Sequence, residues 1–491
     1  MRANSYMKIS KSLSIIIVLA LLGLVFPKNL RAQDSLSHYL VKSAQNNPAL
    51  KASYNQYLAS LQMIPQVGAL PDPDVTFDFF IKAKEEVMGN QNLDVRLMQM
   101  FPWFGTLTSA KLEAAQMAKA RFQEFSEARN RLFFDMTKLY YQLYRLEKEK
   151  TLAEKNLKYL KTYEQLSLIR FRTSGNSDSG TGNPSIIPAP ADNGTGSKQG
   201  GMKNQQQPGM SGQSSSSGGG MPQESAPMAK GKGIVDVLRV QMDINDLMSV
   251  IASLEDQKAP LVAGFNAYLN RPVNTPVFIP DTLIALKIDT TLKVLTDSVI
   301  SNNTMLKMYA AEQESYKTKM EKSRLMGLPV FGLGIDYELL SKRSDVMGPD
   351  NGADMIMPMV NIKLPIYRKK YTAMRKEAEY MMNASKYKQA STLNNLQVEL
   401  SNALLNLKNA ERKIDLFNRQ TSLADQSLKV LNTTYSTAGI DLEEVLRMQQ
   451  KLLDYRYKLV EAVVDQNTGV ANIGYLVAKQ IVTDDYLKSN N

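Results

Sequence analysis

The second half of this chain repeats the first, and that duplication restricts the folds open to it more than any other feature. Laid over one another at an offset of about 256 to 263 residues, outside one insertion, the halves carry the same landmarks in the same order. Asn47-Pro48-Ala49-Leu50 opens an amphipathic run, and Asn303-Thr304-Met305-Leu306 opens its counterpart. Each run ends in Leu-Pro, at Leu70-Pro71 and Leu328-Pro329, ahead of two strand-like segments. A junction of apolar residue, proline and aromatic follows: Phe101-Pro102-Trp103-Phe104-Gly105 in one half, Leu364-Pro365-Ile366-Tyr367-Arg368 in the other. About seventy residues without proline come after each junction, which reads as a matching pair of helix starts. Phe171-Arg172-Thr173-Ser174-Gly175 then parallels Tyr435-Ser436-Thr437-Ala438-Gly439. Finally, Val237-Leu238-Arg239-Val240-Gln241 is echoed at four of five positions by Val445-Leu446-Arg447-Met448-Gln449.

Period-two alternation marks the strands. Val75, Phe77, Phe79 and Ile81 share one face against Asp74, Thr76, Asp78 and Phe80; Phe331, Leu333, Ile335, Tyr337 and Leu339 oppose Gly332, Gly334, Asp336 and Glu338. The expected strands are 73–82, 91–100, 330–341 and 354–364, with Arg96 and Lys363 on the polar sides of the two weaker ones. Strands of about ten residues are long enough to cross an outer membrane at a tilt. Two half-buried hairpins of a soluble protein would alternate in the same way.

The helical pattern is stronger. Ala118, Phe122, Phe125, Arg129, Leu132, Met136, Leu139, Leu143 and Leu146 follow 4-3 spacing with one polar interruption, and Leu400, Ala403, Leu407, Ala410, Ile414 and Phe417 do the same. This is coiled-coil spacing. Long helices are expected over 103–174 and 366–437, and return helices over 235–265 and 441–482. At 1.5 Å per residue the first rod would extend ~105 Å, far beyond a globular helix. The first repeat therefore covers 33–265 and the second 291–482, joined by a connecting segment at 266–290. Residues 176–233, rich in Gly, Ser, Gln, Asn and Pro, form an insertion at the far tip of the first helical hairpin and read as disordered.

Residues 1–32 read as a secretory signal: Arg2, Lys8 and Lys11, an apolar stretch from Ile15 to Val25, and Leu30-Arg31-Ala32 before Gln33. No later segment has 18 uninterrupted apolar residues, so any membrane crossing falls to strands. The formal charge is +11, of which Arg2, Lys8, Lys11, Lys28 and Arg31 supply five, leaving +6 spread through the rest. Charge so interspersed is no nucleic-acid footprint.

The chemistry available for catalysis is thin. There is no cysteine, and His38 is the single histidine, so common zinc sites and Ser-His or Cys-His nucleophiles are excluded. A surface or packing role suits His38. The pairs Glu85-Glu86 and Glu443-Glu444 read as solvated faces rather than acid-base pairs, and Gly332-x-Gly334 lies in a strand, not a dinucleotide loop. No catalytic or cofactor-binding residue is assigned, and no enzyme activity is expected. Met202, Met210, Met221 and Met228 in the insertion are candidate ligands for a soft ion such as Cu(I), or simply residues of a linker in a methionine-containing chain. Trp103 and Tyr367 stand either at a membrane interface or in the core of the junction.

In this order, helix, two strands, long helix and returning helix, twice over, the chain resembles the TolC-like outer-membrane factors of tripartite efflux systems. The most specific pieces are the Asn-Pro opening, Phe101-Pro102-Trp103-Phe104-Gly105, Leu269-Asn270-Arg271-Pro272, and the Gly439 turn before Val445-Leu446. The resemblance implies an α+β membrane protein: a homotrimer whose protomers each give four strands to one 12-stranded transmembrane β-barrel, with a long α-helical coiled-coil barrel extending into the periplasm. It further implies contact with outer-membrane lipid, a periplasmic adaptor and an inner-membrane pump, and passive exit of drugs, metal ions or other small molecules, by efflux or a type I secretion-like route, without a cofactor. In that family acidic residues narrow the periplasmic entrance. Here the matching stretch is Glu443-Glu444-Val445-Leu446-Arg447, with Glu444 in the first acidic place and Arg447 replacing the second. Asp236 and Arg239 mark the equivalent tip of the first half. A Glu444–Arg447 pair, within one helix or between protomers, would hold the entrance shut; a solvated tip without a gating role is equally compatible with the residues. The other class compatible with the sequence is a soluble periplasmic coiled-coil adaptor or structural protein.

Overall fold

The computed structural model describes residues 36–87, 89–175, 229–345, 347–436 and 441–479. The leader at 1–32, most of the insertion and the Gly439 turn lie outside the described residues. Within them the element order is α1 Leu36–Asn46, α2 Pro48–Gly68, β1 Asp74–Glu86, β2 Gly89–Phe101, α3 Thr106–Gly175 and α4 Ala229–Tyr268. It continues with α5 Leu292–Asn302, α6 Thr304–Leu325, β3 Val330–Ser341, β4 Met355–Lys363, α7 Arg368–Ser436 and α8 Leu442–Leu476. The pattern of two helices, two strands and two helices therefore occurs twice.

The chain divides into two compact units. The larger takes the residues up to Leu152, Ala252–Gln426 and those from Lys451 onward; the smaller takes Ala153–Ile251 and Ser427–Gln450. In the larger unit three apolar clusters contribute to the core, the smallest packing Ala120 of α3 against Met308 and Ala311 of α6, and the two larger ones match between the halves. One packs Tyr39 and Leu40 of α1 against Met136, Tyr140 and Leu143 of α3 and Phe265 of α4. The other packs Leu295 and Val299 of α5 against Leu400, Ala403 and Leu407 of α7 and Val470 and Ile473 of α8. Each of these two thus joins a short helix, a long helix and a return helix. The extended stretch before α5 is pinned to these helices by buried polar groups: Phe278 N donates to the Tyr39 hydroxyl at 3.0 Å, Leu286 N to Asn467 Oδ1 at 2.8 Å, and Asn467 Nδ2 to Ile284 O at 2.9 Å.

The duplicated asparagines do matching work. Asn47 Oδ1 accepts from Leu50 N at 3.0 Å and caps α2, while its Nδ2 donates to Tyr268 O, at the end of α4, at 3.2 Å. Asn303 Oδ1 accepts from Met305 N and Leu306 N and caps α6, while its Nδ2 donates to Leu476 O, at the end of α8, at 3.1 Å. One side chain in each half therefore satisfies orphan donors at one helix start and an orphan acceptor at another helix end.

The ends of α4 and α8 also match. Each closes with a residue in the left-handed region, Asn270 at φ 50° and Ala478 at φ 54°. Arg271 N donates to Asn266 O at 3.2 Å, and Lys479 N to Gly474 O at 2.9 Å, the bond of a Schellman cap. Asparagine tolerates this conformation and alanine does not. Ala478→Gly is therefore expected to stabilise the protein by about 0.5–1 kcal/mol, the relief of left-handed strain less glycine's added entropy. Thermal unfolding of the purified protein checks it, with an unchanged or lower midpoint as the contrary result.

Several boundaries differ from those expected. The long helices begin at Thr106 and Arg368, not at 103 and 366. In the first, Thr106 N turns back to Trp103 O at 3.0 Å and Gly105 sits at φ 85°, a turn that must be completed before a helix can start. The first return helix begins at Ala229 and runs on to Tyr268, so 229–233 belong to α4 rather than to the insertion. Gly233 fits that position because a Cβ there would lie 3.3 Å from the Phe171 ring. β1 extends to Glu86 rather than ending at 82, resuming its pairing with β2 beyond an irregularity between Phe79 and Lys84.

Candidate functional site

The four strands form one antiparallel sheet in the order β1-β2-β3-β4. Its register sorts the side chains by face, since directly paired residues point the same way. Val75 pairs with Leu97, Phe77 with Val95, Leu97 with Ile335 and Ile335 with Pro358. That side is aliphatic and open: Phe79 is 74% exposed, Ile81 fully so, Ile356 68% and Val360 71%. On the other side Thr76 pairs with Arg96 and Arg96 with Asp336, while Asp78 pairs with Asp94 and Asp94 with Glu338. β1 and β4 form the two outer edges, each paired on one side only among the described residues.

Charge is organised at the centre of the polar face. Arg96 Nη2 lies 3.1 Å from Asp336 Oδ2 and 3.4 Å from Asp94 Oδ2, and its Nε lies 3.3 Å from the same Asp336 oxygen. Asp94, Asp336 and Glu338 each bring a carboxylate oxygen within 4.8 Å of the others. Three such groups suit a hard divalent cation in general, but Arg96 already neutralises part of their charge. Arg96 stands out in the sequence as a charge on a weak strand, but its partners do not. Asp336 and Glu338 stood on the predicted polar face, and cross-strand register was the missing information.

At the other candidate region, in the smaller unit, α4 and α8 bring the echoed motifs together. Val237 and Val240 of α4 are buried, as are Val445 and Leu446 of α8, whereas Leu238, the counterpart of Leu446, is 54% exposed. Arg239 Nη1 donates to Glu443 Oε2 at 2.8 Å across the two helices. Arg447 instead pairs with Glu444 on its own helix, three residues away. Glu443 and Glu444 occupy the first turn of α8, where carboxylates are favoured by the exposed N–H groups. Asp236 is half-buried on α4. Deeper in, Gln449 Nε2 donates to Asn156 Oδ1 at 2.5 Å and Gln450 to Asp243 Oδ1 at 3.0 Å. Burial, reinforced by Asp246, raises the Asp243 carboxyl above its ordinary value. Of the five tip residues expected, four thus form two pairs; the inter-helix pairing of Arg239 with Glu443 was not foreseen.

His38 is exposed on α1. Trp103 packs on Phe331, ring centroids 5.9 Å apart, whereas Tyr367 is 81% exposed, so the two junction aromatics are not equivalent. Met202, Met210, Met221 and Met228 lie outside the described residues. Among the described residues no helix is long and apolar enough to cross a membrane.

No protein-family model matches this sequence, and no curated protein does. Solved structures do match in fold. The outer membrane protein VceC from Vibrio cholerae aligns over 90% of this chain and 96% of its own, with a TM-score of 0.64 at 12% identity. The Campylobacter jejuni CmeC outer membrane channel covers 92% of this chain and 88% of its own, at 0.64 and 11%. CusC, whose structures concern folding and transmembrane channel formation, covers 91% and 92%, at 0.65 and 12%. The fold is that of the outer-membrane channels. The single-chain part of the expected architecture, long helices with a four-stranded sheet, is therefore met over some nine-tenths of the chain, at identities where fold alone is comparable.

Proposed function

We propose that this chain is the outer-membrane channel of a tripartite efflux system, a passive exit duct and not an enzyme. The observation that carries the reading is the sheet: four strands, one exposed aliphatic face, one charged face and two open edges. Four strands cannot close on themselves, and a small barrel needs about eight. Three copies supply 12, remove every edge, turn the aliphatic face to lipid and the charged face to water. The long helices then extend into the periplasm as a coiled-coil tunnel. Energy and choice of cargo come from an inner-membrane pump and a periplasmic adaptor that docks at the helix tips.

Purified in detergent, the protein is expected to run as a heat-modifiable trimer and to form pores in planar bilayers. Release from membranes by a carbonate wash, with no conductance, would favour the soluble coiled-coil scaffold instead.

The tip pairs give the gate its character under this reading. Arg239–Glu443 and Arg447–Glu444 are exposed ion pairs of the kind that contribute little stability. Such contacts hold a conformation cheaply and release it cheaply. The double variant Arg239→Ala with Arg447→Ala is expected to raise single-channel conductance severalfold without lowering the thermal midpoint. Unchanged conductance would remove these residues from the gate.

A further inference from the structure

The polar face of the sheet carries a feature that a water-filled duct does not require. Met98, Met100, Met355, Met357 and Met359 all lie in β2 and β4, five in a 13-residue and a 9-residue strand, against 26 in the 491 residues of the chain. All five are on the charged side. Met98 pairs with Gly334 and Gly334 with Met359; Met357 pairs with Asp336, and Met355 with Glu338; Met100 pairs with Gly332. Each is half-buried, while the aliphatic residues alternating with them in β4 are exposed on the other face.

The two glycines explain how the thioethers lie. A Cβ at Gly332 would stand 2.6 Å from Met100 Sδ and 3.1 Å from Met98 Sδ; one at Gly334 would stand 3.2 Å from Met98 Sδ. Both sulfurs therefore lie down over bare backbone, converging on one point, with Met359 entering the same row from the far strand. Methionine ordinarily fills apolar gaps. Here its neighbours on the face are mostly charged or polar, Asp78, Asp94, Arg96, Asp336, Glu338, Asn361 and Lys363, with the apolar Val330 at the end of the row and Phe80 on β1, too little to make an apolar core.

Clustered thioethers are the protein's ligands for soft monovalent cations, and the adjoining carboxylates favour any cation approaching this face. A thioether has no proton to lose, so it binds without pH cost and, being neutral, without strong retention, which suits passage rather than storage. We infer that Met98, Met100, Met357 and Met359 form a transit site for Cu(I) or Ag(I), and that such ions are among the cargo. The second clause rests on the channel reading above.

The test uses the full-length protein in detergent, titrated with Ag(I) in chloride-free buffer, together with its currents in planar bilayers. The variant M98L/M100L/M357L/M359L is expected to bind Ag(I) about tenfold more weakly or worse. The variant M202L/M210L/M221L/M228L is expected to bind as wild type does. Ag(I) should reduce the wild-type current but not that of the strand variant. Should the fourfold strand variant fail to assemble, M98L/M100L carries the same comparison. Equal affinity in strand variant and wild type overturns the metal site while leaving the channel intact. A wild-type protein that forms no pores overturns the channel reading, whatever its affinity for Ag(I).

Discussion

Phe77→Arg is expected to abolish the heat-modifiable trimer and to cut the yield of membrane-inserted protein by more than half. Phe77 lies on the aliphatic face, 57% exposed and stacked on Phe79 with ring centroids 6.5 Å apart. If that face meets lipid, each copy must place a guanidinium within the hydrocarbon, at about 2–4 kcal/mol near the midplane, and a trimer incurs the cost three times. If the sheet were a hairpin pair in water, exchanging one exposed phenylalanine for arginine would change stability by only about 0.5 kcal/mol either way. Thr76→Arg, one residue earlier and on the charged face, is the control and is expected to assemble normally. Gel mobility with and without heating reads both. Normal assembly of Phe77→Arg would return the sheet to a soluble context.

The second large effect concerns the duplicated caps. Asn47→Ala is expected to cost about 2–4 kcal/mol, combining a lost helix cap of about 1 kcal/mol with a buried carbonyl left unpaired, about 1–3 kcal/mol. Asn303→Ala is expected to cost the same, because Asn303 makes the same bonds and is just as buried. Asn303→Ser separates the two contributions: the shorter hydroxyl still caps α6 but does not reach Leu476 O, so its loss should fall between those of wild type and alanine. Helix melting followed by circular dichroism measures all three. A double alanine variant as stable as wild type would show that the long-range bonds carry no energy.

Much of this architecture was legible because the two halves corroborated one another. Phe331 through Leu339 alternated cleanly, and β3 occupies Val330–Ser341. Lys82 through Glu86 carried no apolar alternation, so the end of β1 was invisible; backbone hydrogen bonding continues there without help from side chains. Gly231 and Gly233 hid the start of α4, since glycine reads as a linker until its close approach to Phe171 is known. The capping role of Asn47 and Asn303 follows from their position before helices. The reach of their amides to Tyr268 and Leu476 depends on packing between segments far apart in sequence. Arg239 and Arg447 look interchangeable in the repeat, yet one bridges two helices and the other stays on its own, a difference set by where α8 places its two glutamates. The strand methionines carried the same period-two signal as Val75 and Phe77, but methionine in a strand reads as packing material until the register puts it beside aspartate.

The unpaired margins of the sheet bear on how the protein is made. A copy that shaped β1 through β4 ahead of its fellows would present two rows of vacant amides beside a greasy surface, the conditions under which strands recruit whatever chain is nearest. On the channel reading, forming the sheet and meeting the other copies is then a single event, whose rate climbs steeply with the local supply of chains.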